Sequence, residues 1–410
     1  MSQEHSVFVE LTYYALASSM LTFVLFALKQ FLVRCRGPKE WIDFVNLSGV
    51  AAAWFCTSVS FTMFNKFFMQ LWRGGFHYPI LTTTVHMFLK VLVSRVWLSR
   101  NRDHFPNREL PPVSWGTFFT VIAPIGVLTA LDVMLSNLGI LYAPLSIYTA
   151  IKGSVPVFIF LFGVVLGNEV FSAPVLLALS SIAAGLAVAV VSSTSTSLIG
   201  VLLCVSASAC GGLRWTLSER LLRSDPPSSS HSSGVGIMVA LYRFAPVSAA
   251  AILPIGLWFE GPAFMAEEVT GRWTSSLLWQ IGGITLSGGA ISFVLIALEL
   301  SLVSLSSSLT LGVLGTIKEM LQIALSLVIF QERMSPQTGS GLAFAVASGM
   351  AYCWVKAVQK QEVDLGKIVT DETDALLVEL DTIFSSVHSR DDEEDEDESS
   401  GERSAVPAAS

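Results

Sequence analysis

The sequence predicts an all-α membrane protein of ten spanning helices, built as two inverted five-helix repeats, and three observations carry that expectation. Apolar residues make up 52% of the 410 positions and charged residues only 14%, against about 25% charged in a soluble domain. The apolar matter comes in runs of 18 to 25 residues, the length that crosses roughly 30 Å of hydrocarbon. A third observation is a pattern of acid, short turn and proline that recurs at a spacing of five helices. Lipid is the solvent of most of this chain.

Ten strong segments follow from hydropathy, near 44–69, 79–99, 117–141, 144–166, 174–192, 198–222, 237–259, 276–298, 306–330 and 335–357. An eleventh, over 7–28, contains Glu10 and has neither a basic flank nor a small-residue cleavage site, which argues against a cleaved signal peptide. It is read as one extra spanning helix, with an interfacial helix as the alternative. The chain thus divides into an N-terminal segment (1–40), a first repeat (41–192), a second repeat (193–360) and an acidic tail (361–410). Residues 223–236 (RSDPPSSSHSSGVG) read as a flexible loop.

The formal charge of −8 conceals a split. Residues 361–410 hold 16 Asp/Glu against 3 Lys/Arg, whereas residues 1–360 carry a net +5. Counted over alternate loops, Lys and Arg divide 12 to 3 in favour of the side that holds 29–41, Arg100, Arg102, Arg220, Arg223 and the C-terminal flank. The positive-inside rule places that side, and the C-terminus, in the cytosol. The acidic run Asp391 to Glu398 is expected to be solvated. Leu376, Leu377, Leu380, Ile383 and Phe384 recur at helical spacing before it, and a marginal helix in a disordered tail is the reading taken. No C-terminal retrieval signal is visible in SAVPAAS.

The repeat rests on GVVLGNEVFSAP (163–174) and SLVIFQERMSP (326–336). Glu169 and Glu332 are 163 residues apart, Pro174 and Pro336 162, and Gly185 and Gly349 164. Five helices per period is an odd number, so the copies face opposite ways. Inverted repeats are a common architecture of secondary transporters, which hold solute between the halves at mid-membrane.

Ionisable residues lie inside these runs: Lys66, Asp132, Lys152, Arg214, Arg243, Lys318 and Glu319. Each central Lys, Arg or Asp costs about 2.5–3.5 kcal/mol in lipid. Asp132, Lys152, Arg243 and Lys318 are deep enough that they must face a polar cavity or one another, whereas Lys66 and Arg214 can snorkel. Lys152 and Lys318 occupy matching helices of the two repeats. Tyr148 shares a helical face with Lys152, and Pro156 one turn on can open the helix. Gly312, Gly315, Lys318 and Gln322 form one stripe, whose glycines admit a close neighbour or a ligand. Two cations across a cavity suit a phosphate or diphosphate, with Arg243 as a possible bidentate contact. Internal ion pairing, such as Lys152 with Asp132, is the competing reading of the same residues.

Other features read more plainly. His86 is expected to be a hydrogen-bonded interior histidine, and Lys90 and Arg95 to snorkel at the cytosolic end. Trp and Phe residues read as packing and interface anchors, and the serines of 301–308 as helix packing. Cys35, Cys56, Cys204, Cys210 and Cys353 show no metal or disulfide spacing. With no nucleophile–base set, metal spacing or phosphate loop, the chain is not read as an enzyme, and no cofactor or nucleic-acid partner is expected.

With these residues in view, the chain resembles solute carrier family 35, in the triose-phosphate/nucleotide-sugar transporter group of the drug/metabolite transporter superfamily. The likeness is carried by FTMFNKFF (61–68), GGFHYPILTTTVH (74–86), LTALDVMLSN (128–137), SIYTAIKGSVPVF (146–158), GGLRWTLSERLL (211–222) and SSLTLGVLGTIKE (307–319). Within the family it resembles the subfamily C Golgi paralogue of the GDP-fucose transporter. The resemblance implies the ten-helix drug/metabolite transporter fold and antiport of a nucleotide sugar, with GDP-fucose favoured, against a nucleoside monophosphate in Golgi membranes. It implies substrate contacts at Lys152 and Lys318 and a nucleotide contact at Gly315 in GTIK, and it draws Asp132 and Asn137 of LTALDVMLSN into the site. A Phe-Tyr-Asn-Asn motif of GDP-mannose carriers is absent, the matching helix reading ALYRFAPVS (240–248). Glu319 stands where plastid sugar-phosphate carriers place an arginine, which argues against triose phosphate. The alternatives are a non-transporting regulator, acting in a hetero-oligomer with a related carrier, and a carrier of another phosphorylated sugar.

Overall fold

A computed structural model describes residues 38–66, 68–69, 72, 76–104, 110, 112–142, 151–190, 197–224, 233–269 and 274–329, and, with interruptions, 336–359. The expected span over 7–28, Tyr148, the side chain of Glu319, Glu332 and the acidic tail lie outside these residues. The chain divides into two units, Met1–Gly349 and Met350–Ser410. In the second, helical backbone at 350–352, 354–355 and 358–359 carries a buried Tyr352 and an exposed Trp354.

The first unit is built from helices: α1 (Lys39–Lys66), α2 (Pro79–Arg100), α3 (Ala123–Tyr142), α4 (Val155–Val165), α5 (Ala173–Val190), α6 (Leu198–Ser224), α7 (Ser233–Phe259), the short α8 (Gly261–Val269), α9 (Ser275–Leu305) and α10 (Ser308–Ile329). Six stretches among the described residues are long and apolar enough to span a bilayer: Trp41–Phe61, Pro79–Arg100, Trp115–Gly139, Leu198–Arg223, Gly234–Phe259 and Ser275–Leu305. Shorter apolar helices cover Val155–Val165, Ala173–Gly185 and Ser308–Lys318. The protein is a multi-pass, all-helical membrane protein.

Its distribution of side chains fits lipid rather than water outside. Large apolar residues such as Leu92, Trp115, Phe119, Leu177, Leu202, Trp258, Trp279 and Leu286 are exposed, while Thr82, His86, Lys90, Ser208, Thr216, Glu219 and Ser248 are buried. Helix associates with helix in lipid through small residues and interhelical polar contacts, and both are present. A Cβ on Gly212 of α6 would sit 2.6 Å from the Phe158 Cβ and 3.1 Å from the Ile159 amide of α4. Only glycine lets these two backbones come so close. The most extensive packing joins α3 with α6, α2 with α7 and α3 with α7, followed by α1 with α9, α2 with α9 and α4 with α6; α10 leans on α4.

Two carboxylates, the half-buried Glu260 and the buried Glu219, close helix N-termini, whose first amides have no partner within the helix. Glu260 accepts from the Ile80 and Leu81 amides of α2, both at 2.8 Å. At the other end of the bundle, Glu219 of α6 accepts from the Ser308 amide (3.1 Å) and hydroxyl (2.5 Å) of α10 and also pairs with Arg223. His86 meets the Thr285 carbonyl at 3.1 Å, the interior role expected for it. Lys90, expected to snorkel, is instead buried beside the Met87 sulfur. The helix face it occupies turns toward the bundle.

Candidate functional site

The segment expected as one span over 144–166 is broken. Ile151 and Lys152 are helical, Gly153 and Ser154 form a turn, and α4 begins at Val155 with Pro156 in its first turn. Proline has no N–H to give to a preceding turn and tolerates the first helical turn, so the break lies where the chain loses little. The carbonyls freed here find donors nearby. Ile151 O accepts from the Ser154 hydroxyl at 2.6 Å and from the Ser208 hydroxyl of α6 at 3.3 Å. Gly153 O lies 3.5 Å from the Thr316 hydroxyl of α10. Irregular backbone at membrane depth is tolerated only where protein or a wet cavity surrounds it.

A cavity of about 290 Å³ opens beside the break. Lys152, Lys318 and Arg214 supply its cations, Asp132 and Glu299 its acids, and Trp54 and Trp215 its aromatic walls. Lys152 Nζ donates to Asp132 Oδ1 at 2.5 Å, and an Arg214 Nη nitrogen lies 3.9 Å from Asp132 Oδ2. Lys318 Nζ donates to the Ser58 hydroxyl at 3.2 Å and stands 5.7 Å from the centre of the Trp54 ring. The Trp54 indole N–H donates to Glu299 at 3.3 Å. Arg214 lies 4.3 Å over the Trp215 ring. Glu299 is the electrostatic hub, acted on by Arg214, Lys318 and the buried Lys90.

Among the described residues, the cavity lining holds three cations and two carboxylates. Lys90, behind it, adds a fourth cation. Each cation offers phosphate oxygens a charge-assisted donor. Gly312 and Gly315 line the same space. A Cβ on Gly312 would meet Ile159 Cδ1 at 2.8 Å, so that glycine serves packing, whereas one on Gly315 would reach only the edge of Trp54 at 4.0 Å.

Of the residues expected in the site, the structure brings together Lys152, Lys318, Asp132 and Gly315. Arg243 is elsewhere: it lines a second cavity with Arg95 and Tyr242, because α7 turns that face toward α2 and the start of α3. Asn137 gives its side-chain amide to the Val133 carbonyl of its own helix at 2.9 Å and does not line the cavity. Arg214, expected to snorkel, is a full member. Its signal was the small-residue stripe Ala207, Ser208 and Gly211 on the same helix, which marks the inward face of α6. Trp54 had been grouped with packing aromatics.

A polytopic helical protein with a cation-rich cavity beside a broken helix has the build of a membrane transporter. Comparison places it more closely: the family model described as the Triose-phosphate Transporter family matches residues 45–353, and the chain belongs to that family. A protein named as a probable sugar phosphate/phosphate translocator from Arabidopsis thaliana is 24% identical, over 74% of this chain and 71% of its own length. A candidate nucleotide-sugar transporter from Saccharomyces cerevisiae is 25% identical, over 69% of this chain and 78% of its own. A solved crystal structure shares the fold with TM-score 0.52 at 17% identity, covering 75% of this chain and 96% of that one.

Proposed function

We propose that the protein is an antiporter that exchanges a nucleotide sugar, a GDP-sugar such as GDP-fucose foremost, for a nucleoside monophosphate across a Golgi membrane. The observation that carries this reading is the convergence of Lys152, Arg214 and Lys318 from three parts of the bundle on one cavity. Among the described lining residues, these three cations stand with two acids, Asp132 and Glu299. The diphosphate of a nucleotide sugar carries two negative charges, and a phosphomonoester approaches two above its second pKa of about 6. Substrate and counter-substrate therefore present similar negative charge to the same cations. Trp54 and Trp215 offer faces on which a base or sugar can stack, and Gly315 leaves room beside them. A nucleotide-sugar relative is among the similar proteins.

Alternating access comes from rocking of two inverted five-helix repeats within a ten-helix bundle, with the C-terminus in the cytosol as the Lys/Arg bias indicates. The helix pairing supports this. Exchanging each helix for its counterpart in the other repeat maps the α1–α9 contact onto α6–α3 and leaves α2–α7 and α4–α10 as self-matching pairs.

A second reading, carriage of a simple sugar phosphate, is favoured by one observation. The cavity, about 290 Å³, lies at the lower end of the 300–1,000 Å³ usual for ligand sites, and a whole nucleotide sugar requires it to widen. Purified protein in liposomes preloaded with GMP separates the readings. Uptake of labelled GDP-fucose above UDP-sugars and hexose phosphates supports the first, and preference for hexose phosphate supports the second. Uptake no greater than in empty liposomes across the whole panel overturns both and leaves a non-transporting regulator.

A further inference from the structure

Among the described residues, two carboxylates line the central cavity, and they are engaged differently. Asp132 is taken up by cations. Its Oδ1 accepts from Lys152 at 2.5 Å and from the Ser136 hydroxyl at 3.3 Å, and its Oδ2 faces Arg214 at 3.9 Å. Glu299, half-buried on α9, accepts from the Trp54 indole N–H of α1 at 3.3 Å. Among the described residues that is its one hydrogen bond, and no described Lys or Arg forms an ion pair with it. Arg214, Lys318 and Lys90 act on it at longer range.

Trp54 fixes the orientation of this carboxylate. Its side chain is 3% exposed, and its helix α1 packs along α9. An indole donates one hydrogen bond and accepts none, so Trp54 holds Glu299 without neutralising it. A carboxylate accepts at about four lone-pair sites, and a single N–H fills one of them. What faces the cavity is therefore satisfied by donors. A fully ionised phosphate brings oxygens only and is repelled by the carboxylate. Glu299 is of no use to the phosphate itself; it suits a part of the solute that carries donors beside the phosphate.

We propose that Glu299 reads the transported sugar: its carboxylate accepts from adjacent hydroxyls of the sugar bonded to the phosphate, with Trp54 as the positioning residue. The inference rests on the reading of the central cavity as the site of a phosphorylated sugar, and it holds for a nucleotide sugar and a simple sugar phosphate alike. Geometry favours the sugar over the base. Lys152, Arg214, Lys318 and Glu299 line one cavity of about 290 Å³, so a phosphate held by the cations leaves the carboxylate to the group bonded next to it. In both solutes a sugar is bonded there, whereas guanine is separated from the nearest phosphate by its ribose. The two oxygens of a carboxylate match two adjacent hydroxyls as they match the parallel donors of a guanidinium. A site built to hydrogen-bond a hydroxyl also rejects analogues that lack it far more strongly than an apolar wall rejects a change of size.

The test is competition against exchange of labelled GMP by the full chain in GMP-loaded liposomes. The competitors are GDP-fucose and its 2-deoxy-2-fluoro and 3-deoxy-3-fluoro analogues, in which fluorine keeps the size of a hydroxyl and removes its O–H. Where GDP-fucose does not compete, a hexose 1-phosphate and its 2-deoxy-2-fluoro analogue take their place. The wild type is expected to bind each analogue roughly tenfold more weakly than the parent, the weight of one charge-assisted hydrogen bond. That difference collapses in Glu299→Gln, which lacks the charge, and in Glu299→Asp, which keeps the charge but falls one methylene short. Trp54→Phe, which leaves the carboxylate in place and removes its orienting donor, lowers the difference several-fold. If Glu299 served only as a counter-charge, Glu299→Asp would behave like the wild type and Glu299→Gln would shift parent and analogues alike; that result overturns the proposal. So does a wild type that takes the analogues as readily as the parent, with exchange intact. Absence of exchange and of competition by any phosphorylated sugar in the wild type overturns the reading of the cavity along with it.

Discussion

Asp132→Asn is the most informative single change, because it pulls stability and affinity in opposite directions. Asp132 holds Lys152 at 2.5 Å and lies 3.9 Å from Arg214. On the proposed reading, its carboxylate competes with the phosphate of the solute for these cations. Two opposite charges about 4 Å apart interact by about 4 kcal/mol at an effective dielectric near 20, and breaking a fully buried pair costs about 3–5 kcal/mol. Here the side chains of Asp132 and Lys152 are 18% and 17% exposed, facing a wet cavity, so about 2 kcal/mol is the loss expected once solvent screening is allowed for. The same substitution frees both cations for an incoming anion, which no longer displaces a carboxylate. One charge-assisted hydrogen bond regained is about 1.5–3 kcal/mol, or roughly tenfold or more in affinity. Thermal unfolding of the purified variant should start lower than in the wild type, and the upward shift caused by GMP should be larger. Tight binding also slows release, so exchange in liposomes should fall even as affinity rises. A variant that binds GMP more weakly than the wild type would show Asp132 to be a substrate ligand and refute the reasoning.

Two other outcomes follow from the packing and the caps. Gly212→Val forces a side chain into a space where even a Cβ lies 2.6 Å from Phe158; overpacking of this kind costs about 1–3 kcal/mol, and the fraction of monodisperse protein on size exclusion should drop. Glu260→Gln keeps the shape of the cap on α2 while removing its charge. Burial pushes the Glu260 carboxyl above its ordinary value, with the Leu81 and Ile80 amides opposing. The folded protein therefore holds this proton more tightly than the unfolded chain, and its stability contribution declines as pH rises from the ordinary carboxylate range through the raised value. Thermal melts over that window should slope downward with pH in the wild type and flatten in Glu260→Gln.

Much of the fold was legible because lipid imposes a simple rule: long apolar runs become helices. Boundaries were less so. The span expected over 276–298 runs on to Leu305 as α9, and the one over 144–166 breaks at Gly153 and Ser154. Lys152 and Lys318 stand out in the sequence because a charge deep in an apolar run has few places to go, and because the expected repeat would put them at equivalent positions. Arg243 obeyed the same rule and still went elsewhere. Burial depth says that a charge needs a cavity, not which one, and α7 is apolar on most faces, so its rotation leaves no trace in the sequence. Lys90 and Arg214 failed for a related reason. Both lie about ten residues from the C-terminal ends of their helices, and tertiary packing turns them inward toward Glu299 and Asp132. Glu299 itself was visible only as an acid in search of a partner. Its role as the hub of the cations depends on α1, α2, α6 and α10 meeting, which no local pattern encodes.

The central claim is that Lys152 and Lys318 hold the same phosphorylated solute in one cavity. The direct measurement is exchange of labelled GMP into GMP-loaded liposomes by the wild type, Lys152→Gln and Lys318→Gln, at matched protein incorporation. Loss of one charge-assisted donor, about 1.5–3 kcal/mol, predicts at least a tenfold fall in exchange for each variant. Exchange at the wild-type rate in either one would contradict the account.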